Sequence, residues 1–185
     1  MTPIHWRRAG PADAQALSIL GAATTLASFA NDHVGSDLVS YIAEHHNVPC
    51  YERLLADHAY RVIIGETPLG APVAYGVLGP CRFDIEMQPG DLELQRIYLL
   101  GPWQGSGNGK RLLDLLSREA HAIGARRLVL AVYENNLRAR HFYAGQGFRE
   151  IGKARYPVGN SVYIDPVYAR TVAAPADQDS APAKV

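Results

Sequence analysis

Cysteine is nearly absent from this chain of 185 residues: Cys50 and Cys81 are the whole supply. Two are too few for a disulfide framework, and their spacing is not that of metal ligands. Both are expected to be reduced side chains that fill space. Long apolar runs are missing as well. No stretch reaches the roughly 18 residues that a membrane-crossing helix requires. Nor does an apolar segment follow Arg7 and Arg8, as it would in a signal peptide. The expected location is therefore the cytoplasm, with no membrane partner. Excess charge is also lacking, because 18 basic residues meet 18 acidic ones. That excludes the broad basic footprint of a dedicated nucleic-acid binder. There is no internal repeat. What remains, with 48% hydrophobic residues, 17 glycines and 12 prolines, is the composition of an ordinary globular chain. Its length suits one domain able to bury roughly 70% of its unfolded surface.

The pattern along the chain is expected to run as follows. Ile4 to Ala9 reads as a short strand, and Gly10-Pro11-Ala12-Asp13 as a helix start, with proline at the first helical position. Leu17, Leu20 and Leu26 with Ala16, Ala23 and Ala27 form the apolar stripe of that helix, which Asn31-Asp32-His33 breaks. A second helix starts at Gly35 or Ser36, with Leu38, Tyr41, Ile42 and His45 on one face. Pro49 is expected to end that region, and Tyr51 to Ala56 to add another helical turn. Strands are expected at Arg61–Glu66, Val73–Leu78 and Leu92–Leu99, the first two as a hairpin. A Gly-rich loop from Gly101 to Gly109 leads into a helix over Leu112–Ile123 that stops at Gly124. Arg127–Tyr133 reads as a strand, Asn136–Gln146 as a short helix, and Phe148–Tyr156 and Ser161–Arg170 as strands. Residues 1–172 make one domain on this reading. Residues 173–185, rich in Ala, Pro, Asp and Ser without period, read as a disordered tail. A crossover helix between two strands implies a parallel pair. The fold class is therefore α/β, a mixed, mostly antiparallel sheet flanked by helices.

Chemistry concentrates in Gln104-Gly105-Ser106-Gly107-Asn108-Gly109-Lys110. A Gly-rich loop that enters a helix offers bare N–H groups and a positive dipole end to an anion, typically phosphate. A Walker A loop is excluded, because Gln104 stands where its first glycine belongs and Arg111 where Ser or Thr would hold magnesium. A dinucleotide fingerprint beginning at Gly105 would need glycine where Lys110 stands. A plain flexible turn before a helix stays open on the loop alone.

The loop has company. Gln-x-x-Gly-x-Gly at 104–109 follows Glu93-Leu94-Gln95-Arg96-Ile97-Tyr98-Leu99. Downstream comes Asn136-x-x-Ala139-x-x-Phe142-Tyr143-x-x-x-Gly147-Phe148. Together these resemble the GCN5-related N-acetyltransferase superfamily, with the early helices and Leu92–Leu116 most similar to its polyamine and small-amine acetyltransferases. The resemblance covers Ile4 to Arg170, its sharp motifs lying between Glu93 and Phe148. It implies a twisted sheet that splays between the strands around Ile97 and Val129, with acetyl-CoA as co-substrate in the splay. The pantetheine arm would pair with the backbone of Ile97, Tyr98 and Leu99, and the pyrophosphate would rest on amides of Gln104, Gly105, Ser106, Gly107, Asn108, Gly109 and Lys110. A splayed strand leaves backbone groups in need of a partner, and a cofactor amide chain can supply one.

Acetyl transfer to an amine needs a deprotonated nucleophile, an oxyanion site and a proton for the departing thiolate. Glu93 is the candidate base, acting directly or through water, with Asp91 and Glu134 as competitors. In a regular strand positions 93, 95, 97 and 99 share a face, a phase that a bulge of the family type would alter. A Glu fixed in a salt bridge or facing solvent is the plain alternative. Tyr143 occupies the family position whose phenol approaches the CoA sulfur and is the candidate acid; its alternative is a core aromatic beside Phe142. Asn136 can cap its own helix, and the resemblance also directs it to the pantetheine. Many family members carry Lys or Arg two residues after the tyrosine, near the 3′-phosphate. This chain has Gly145, so Arg138, Arg140 or Lys110 would have to compensate.

Adjacent His45 and His46 point about 100° apart on a helix, which argues against a shared metal, and no metal site is expected. His141 is expected at the surface, and Trp103 among packed residues. The acceptor, a primary amine attacking directly in a ternary complex, is expected between the first two helices, the Asn31–Gly35 loop and the Val158–Asp165 hairpin. Asp32, Asp37, Glu44, Glu86 and Glu93 would give that mouth an acidic cast suited to a polyamine-like cation. Acetylation of a protein N-terminus or lysine, and a non-catalytic acyl-CoA sensing module, are the rival readings. A nucleotide-binding regulatory role is disfavoured by the missing Walker and Rossmann residues. A homodimer is left open.

Overall fold

A computed structural model describes residues 3–172; the tail expected at 173–185 lies outside the described residues. The chain runs β1 (His5–Arg8), α1 (Ala14–Phe29), α2 (Gly35–His45), α3 (Val48–Ala56), β2 (Arg61–Glu66), β3 (Pro72–Gly79), β4 (Asp91–Leu99), α4 (Asn108–Ala122), β5 (Arg127–Ala131), α5 (Leu137–Gly145), β6 (Arg149–Val158) and β7 (Ser161–Thr171). Short 3-10 turns precede α1 and follow β4. The strands form one sheet in the order β1-β2-β3-β4-β5-β7-β6. Every neighbouring pair is antiparallel except β4–β5, which the crossover helix α4 makes parallel, as expected. No helix among the described residues is long and apolar enough to cross a membrane.

Helices cover both faces. Leu112, Leu113 and Leu116 of α4 are completely buried with Leu94, Leu128, Leu130 and Phe148. Each such side chain contributes about 1.5–3 kcal/mol on leaving water. Leu17 and Leu20 of α1 pack with Tyr51 of α3 and with Ile64, Tyr75 and Val77 of β2 and β3 on the other face. A smaller cluster lies where Phe83 and Ile85 of the β3–β4 connection cover Val129, Val167 and Ala169.

Pro49 corrects the reading of α3. It does not end the region but sits in the helix's first turn, behind Asn47, whose side-chain oxygen accepts from the Cys50 amide at 2.9 Å. Proline is tolerated there because those N–H groups have no intrahelical partner. His46 is part of this joint. It is buried, Nδ1 lies 2.9 Å from the Tyr51 hydroxyl and Nε2 3.0 Å from Thr25 Oγ1, and its carbonyl accepts from Ser18 at 2.8 Å. Burial, with Arg96 nearby, pushes its pKa down to about 3, so the ring is neutral and ties α1 to α3. Among the described residues no group of three or more His, Cys, Asp or Glu could hold a metal.

Candidate active site

The strands β4 and β5 are paired only over Asp91–Glu93 and Arg127–Val129. Beyond that, both continue and diverge, so the sheet splays where the sequence implied. β4 also bulges. Val77 opposes Arg96 while Leu78 opposes Leu94, which leaves Gln95 as the extra residue. The bulge corrects the phase expected from plain alternation. Leu94, Ile97 and Leu99 pack on the α4 side, whereas Tyr98 joins the α1 side. Glu93, adjacent to Leu94 and pointing oppositely, shares its face with Arg96 and Tyr98, not with Ile97 and Leu99.

The splayed edge is defined by alternation as well. The Leu100 amide donates to Val73 of β3 at 2.9 Å, so the main-chain groups of Tyr98 also turn to β3 and those of Ile97 and Leu99 turn to the splay. Gln104 confirms the direction: its Nε2 donates to the Leu99 carbonyl at 2.8 Å, while Arg138 Nη1 donates to its Oε1 at 2.9 Å. Of the three strand residues, Tyr98 thus offers a ring and no backbone to a molecule in the gap.

Gly105 and Gly107 have φ of 82° and 80°, the left-handed region that glycine reaches without strain. Gly107 is the N-cap of α4, and open space surrounds the position of a Cβ there. The first amides of α4 have no intrahelical partner. A groove of about 780 Å³ runs past Leu99, Gln104, Gly105, Gly107, Gly109, Lys110, Asn136, Arg138 and Phe142. Ser106 and Asn108 do not line it, and Asn108 Nδ2 instead donates to the Trp103 carbonyl at 3.0 Å. Lys110 and Arg138 do line it. Arg140 does not; it donates to the Tyr168 hydroxyl at 3.0 Å and to the Glu134 carbonyl at 3.2 Å. Two of the three cations offered in place of Gly145 thus stand at the groove.

A second cavity, about 150 Å³, opens on the other side of the splay. Its walls come from the expected elements: Phe29 and His33 at the end of α1 and beyond, Leu38 and Tyr41 of α2, and Tyr156, Val158, Tyr163 and Asp165 of the β6–β7 hairpin. Phe83 of the β3–β4 connection adds a wall that patterning did not indicate. Phe29, Ile97, Tyr98, Tyr133, Asn136, Ala139 and Tyr143 line both spaces. Groove and cavity therefore meet at the splay.

Glu93 lines the cavity and is buried. Its Oε2 accepts from the Arg82 amide at 3.0 Å, with Arg82 Nε at 3.7 Å. Burial raises its pKa, opposed by the Arg82 charge. The competitors are elsewhere. Asp91 is clamped by Arg127 through two hydrogen bonds of 2.7 and 2.6 Å, which holds its carboxyl below the usual range. Glu134 pairs with Lys153 at 3.6 Å on the surface. Neither lines either space. Of the acidic mouth, Asp32 lines the groove, Asp37 accepts from Ser161 Oγ at 2.7 Å, and Glu44 is exposed.

Tyr143 is buried between Phe142 and Phe148, edge-on to both rings at 5.1 and 5.4 Å. Burial raises its pKa, so the phenol stays protonated. The residue lines both groove and cavity. Asn136 Oδ1 caps α5 by accepting from the Ala139 amide at 3.0 Å. Its side chain is therefore engaged in the cap while the residue borders both spaces. Asp165, which sequence reading used only to bound a hairpin, is the other carboxylate in the cavity. The signal for it was an acid inside the apolar run Tyr163-Ile164-Asp165-Pro166-Val167.

Residues 26–148 match the family model described as "Acetyltransferase (GNAT) family". An N-acetyltransferase of Lactobacillus delbrueckii subsp. lactis is 31% identical over 80 residues, which is 43% of this chain and 46% of that protein. The chain thus spans under half the length of that relative. A spermine/spermidine N(1)-acetyltransferase of Bacillus subtilis is 29% identical over 124 residues, 65% of this chain and 79% of that one. The crystal structure of the PaiA N-acetyltransferase of Thermoplasma acidophilum in complex with coenzyme A shares the fold at a TM-score of 0.74 and 16% identity. That match covers 91% of this chain and 99% of the other.

Proposed function

Because the chain belongs to the acetyltransferase (GNAT) family, we propose that it moves the acetyl group of acetyl-CoA to the primary amine of a small, polyamine-like acceptor, both held at once. The continuity of the two spaces carries this reading. A groove with an unpaired strand edge and a helix N-terminus suits a long polyphosphate-bearing thioester, and it opens at Tyr143 into a cavity that suits a small amine. The Bacillus subtilis relative supports a polyamine-like acceptor, and a cavity of about 150 Å³ favours a small molecule over a folded protein segment.

In this proposal the main-chain groups of Ile97 and Leu99 take the pantetheine as an added strand, and an N–H of that edge faces the developing oxyanion. The amides of Gly107, Gly109 and Lys110 take the pyrophosphate, with Lys110 and Arg138 beside it. Acetyl-CoA supplies the activated acyl group. An alkylammonium has a pKa near ~10 and must lose a proton before attack. Glu93, made more basic by burial, accepts that proton directly or through water. Tyr143 holds a proton for the thiolate as the C–S bond breaks.

Titration of acetyl-CoA by calorimetry, followed by measurement of free-thiol release with a panel of amines, tests the assignment. Binding with amine-dependent release is expected. Binding without release for any amine or peptide would leave an acyl-CoA sensing module.

A further inference from the structure

Asp165 is a buried carboxylate with almost no protein company. Oδ1 accepts from the Glu134 amide at 3.1 Å, and Oδ2 has no hydrogen-bond or ion-pair partner among the described residues. Among the described residues no cation forms an ion pair with it. An asparagine could accept the Glu134 amide equally well, so structure alone does not call for a charge here. The carboxylate faces the cavity that Glu93 borders, and the register fixes their relation. Glu93 opposes Val129, Ala131 opposes Val167, and the ladder continues through the Val132 amide to the Pro166 carbonyl. Asp165 thus stands two strands across and about four residues along from Glu93, on the same face. Strand spacing and rise put their α-carbons roughly 15 Å apart. The wall between them is aromatic, with His33 stacked on Tyr163 at 4.4 Å and Tyr133 edge-on at 5.6 Å. Aromatic faces and a carboxylate together attract an alkylammonium.

We propose that Asp165 binds a second ammonium group of the acceptor, so that the preferred substrate class is a short-chain diamine whose reacting nitrogen lies toward Glu93. The inference rests on the acetyltransferase reading and adds the residue that sets its selectivity. Allowing each side chain its reach and a hydrogen bond of about 2.8 Å at each end, the span suits a chain of about four carbons. Arg96 also lines the cavity, but its guanidinium stacks on the Tyr51 ring at 5.2 Å and donates to the His45 carbonyl at 3.2 Å. It closes the C-terminus of α2 and is held away from an acceptor.

The test compares butylamine, 1,4-diaminobutane and 4-aminobutanoate as acceptors for the wild type and for Asp165→Asn. The wild type is expected to favour the diamine over the monoamine in kcat/KM by about tenfold or more, the amino acid being poorest. In Asp165→Asn, which retains the acceptor for the Glu134 amide, that ratio is expected to fall to about one, mainly through KM. An undiminished ratio in the variant, or no diamine preference in the wild type, overturns the assignment of Asp165. A preference for 4-aminobutanoate overturns the diamine class and transfers recognition to Arg96. No thiol release with any amine, from protein that binds acetyl-CoA, overturns the transferase reading itself and this inference with it.

Discussion

Tyr143, at the junction of groove and cavity, and Glu93 and Asp165, which line the cavity alone, differ in what their surroundings ask of them. Glu93 is buried, with its pKa raised, so it can hold a proton taken from an ammonium. Glu93→Gln keeps the size and loses the basicity. Turnover is expected to drop about 10²–10⁴-fold near neutral pH, with the gap to wild type narrowing as pH approaches the pKa of the amine itself. A pH series of kcat/KM checks this, and equal rates at every pH would leave the proton to solvent. Tyr143→Phe keeps the ring contacts with Phe142 and Phe148 and removes only the phenol. Cofactor affinity is expected to stay near wild type while kcat falls about 10²-fold, the lower end for an acid because a thiolate leaves readily. Asp165 carries a cost that stability can report. Burial pushes its pKa up to about 6, so between its ordinary value and about 6 the folded state binds more protons than the unfolded one, and stability falls as pH rises. Asp165→Asn removes that penalty. Its stability relative to wild type is expected to rise as pH climbs from ~4 to ~7 and to level off above that, measured by urea unfolding across pH.

At the scale of elements, the Gly107 turn and the Gln95 bulge do the positioning. Gly107→Asp places a carboxylate and a Cβ over the first amides of α4 and forces a left-handed residue to carry a side chain. Gly70, at φ 81° with open space around it in the β2–β3 turn, provides the matched control. Both Asp variants are expected to lose about 1–2 kcal/mol of stability. Only Gly107→Asp is expected to weaken acetyl-CoA binding, by about tenfold or more in calorimetry; equal affinity in the two would remove the phosphate role from this turn. The elements themselves were largely legible. Leu112, Leu113 and Leu116 announce α4, and Gly124 its end. The bulge was not, because alternation along Glu93–Leu99 is disturbed by a single residue that only the partner strand reveals. That one residue turned Glu93 away from Ile97 and toward the cavity. Pro49 misled for a related reason: proline in a first helical turn and proline after a last one look alike without the Asn47 cap. Asp165 escaped notice because a buried acid on a strand is distinguished from a solvated one only by what lies across from it.

At the scale of the molecule, the two spaces share residues at the splay and form one passage. The proposed direct attack has both substrates in that passage before the acyl group moves, and neither cysteine stands where it could carry the group in between. Cys81 belongs to the cluster beneath the β3–β4 connection, lines neither space, and has its thiol pushed up to about 12 by burial and by the nearby Glu93 and Asp91 charges. A thiol in that state is not a nucleophile at neutral pH. Cys50 is in contact with the Glu44 carbonyl and Arg53, on the outer side of α3, and lines neither space either. Initial rates measured over a grid of acetyl-CoA and amine concentrations are therefore expected to give intersecting reciprocal plots. Parallel plots would mean that the acyl group pauses on the protein. Intact-mass measurement after incubation with acetyl-CoA alone separates the two cases at once: no acetyl adduct is expected. The double variant Cys50→Ser, Cys81→Ser is expected to retain the wild-type rate to within about twofold, since neither sulfur faces the reacting atoms. A stoichiometric adduct that disappears when the amine is added would replace direct attack with a two-step transfer, and the residue carrying it would displace Glu93 from the centre of the mechanism.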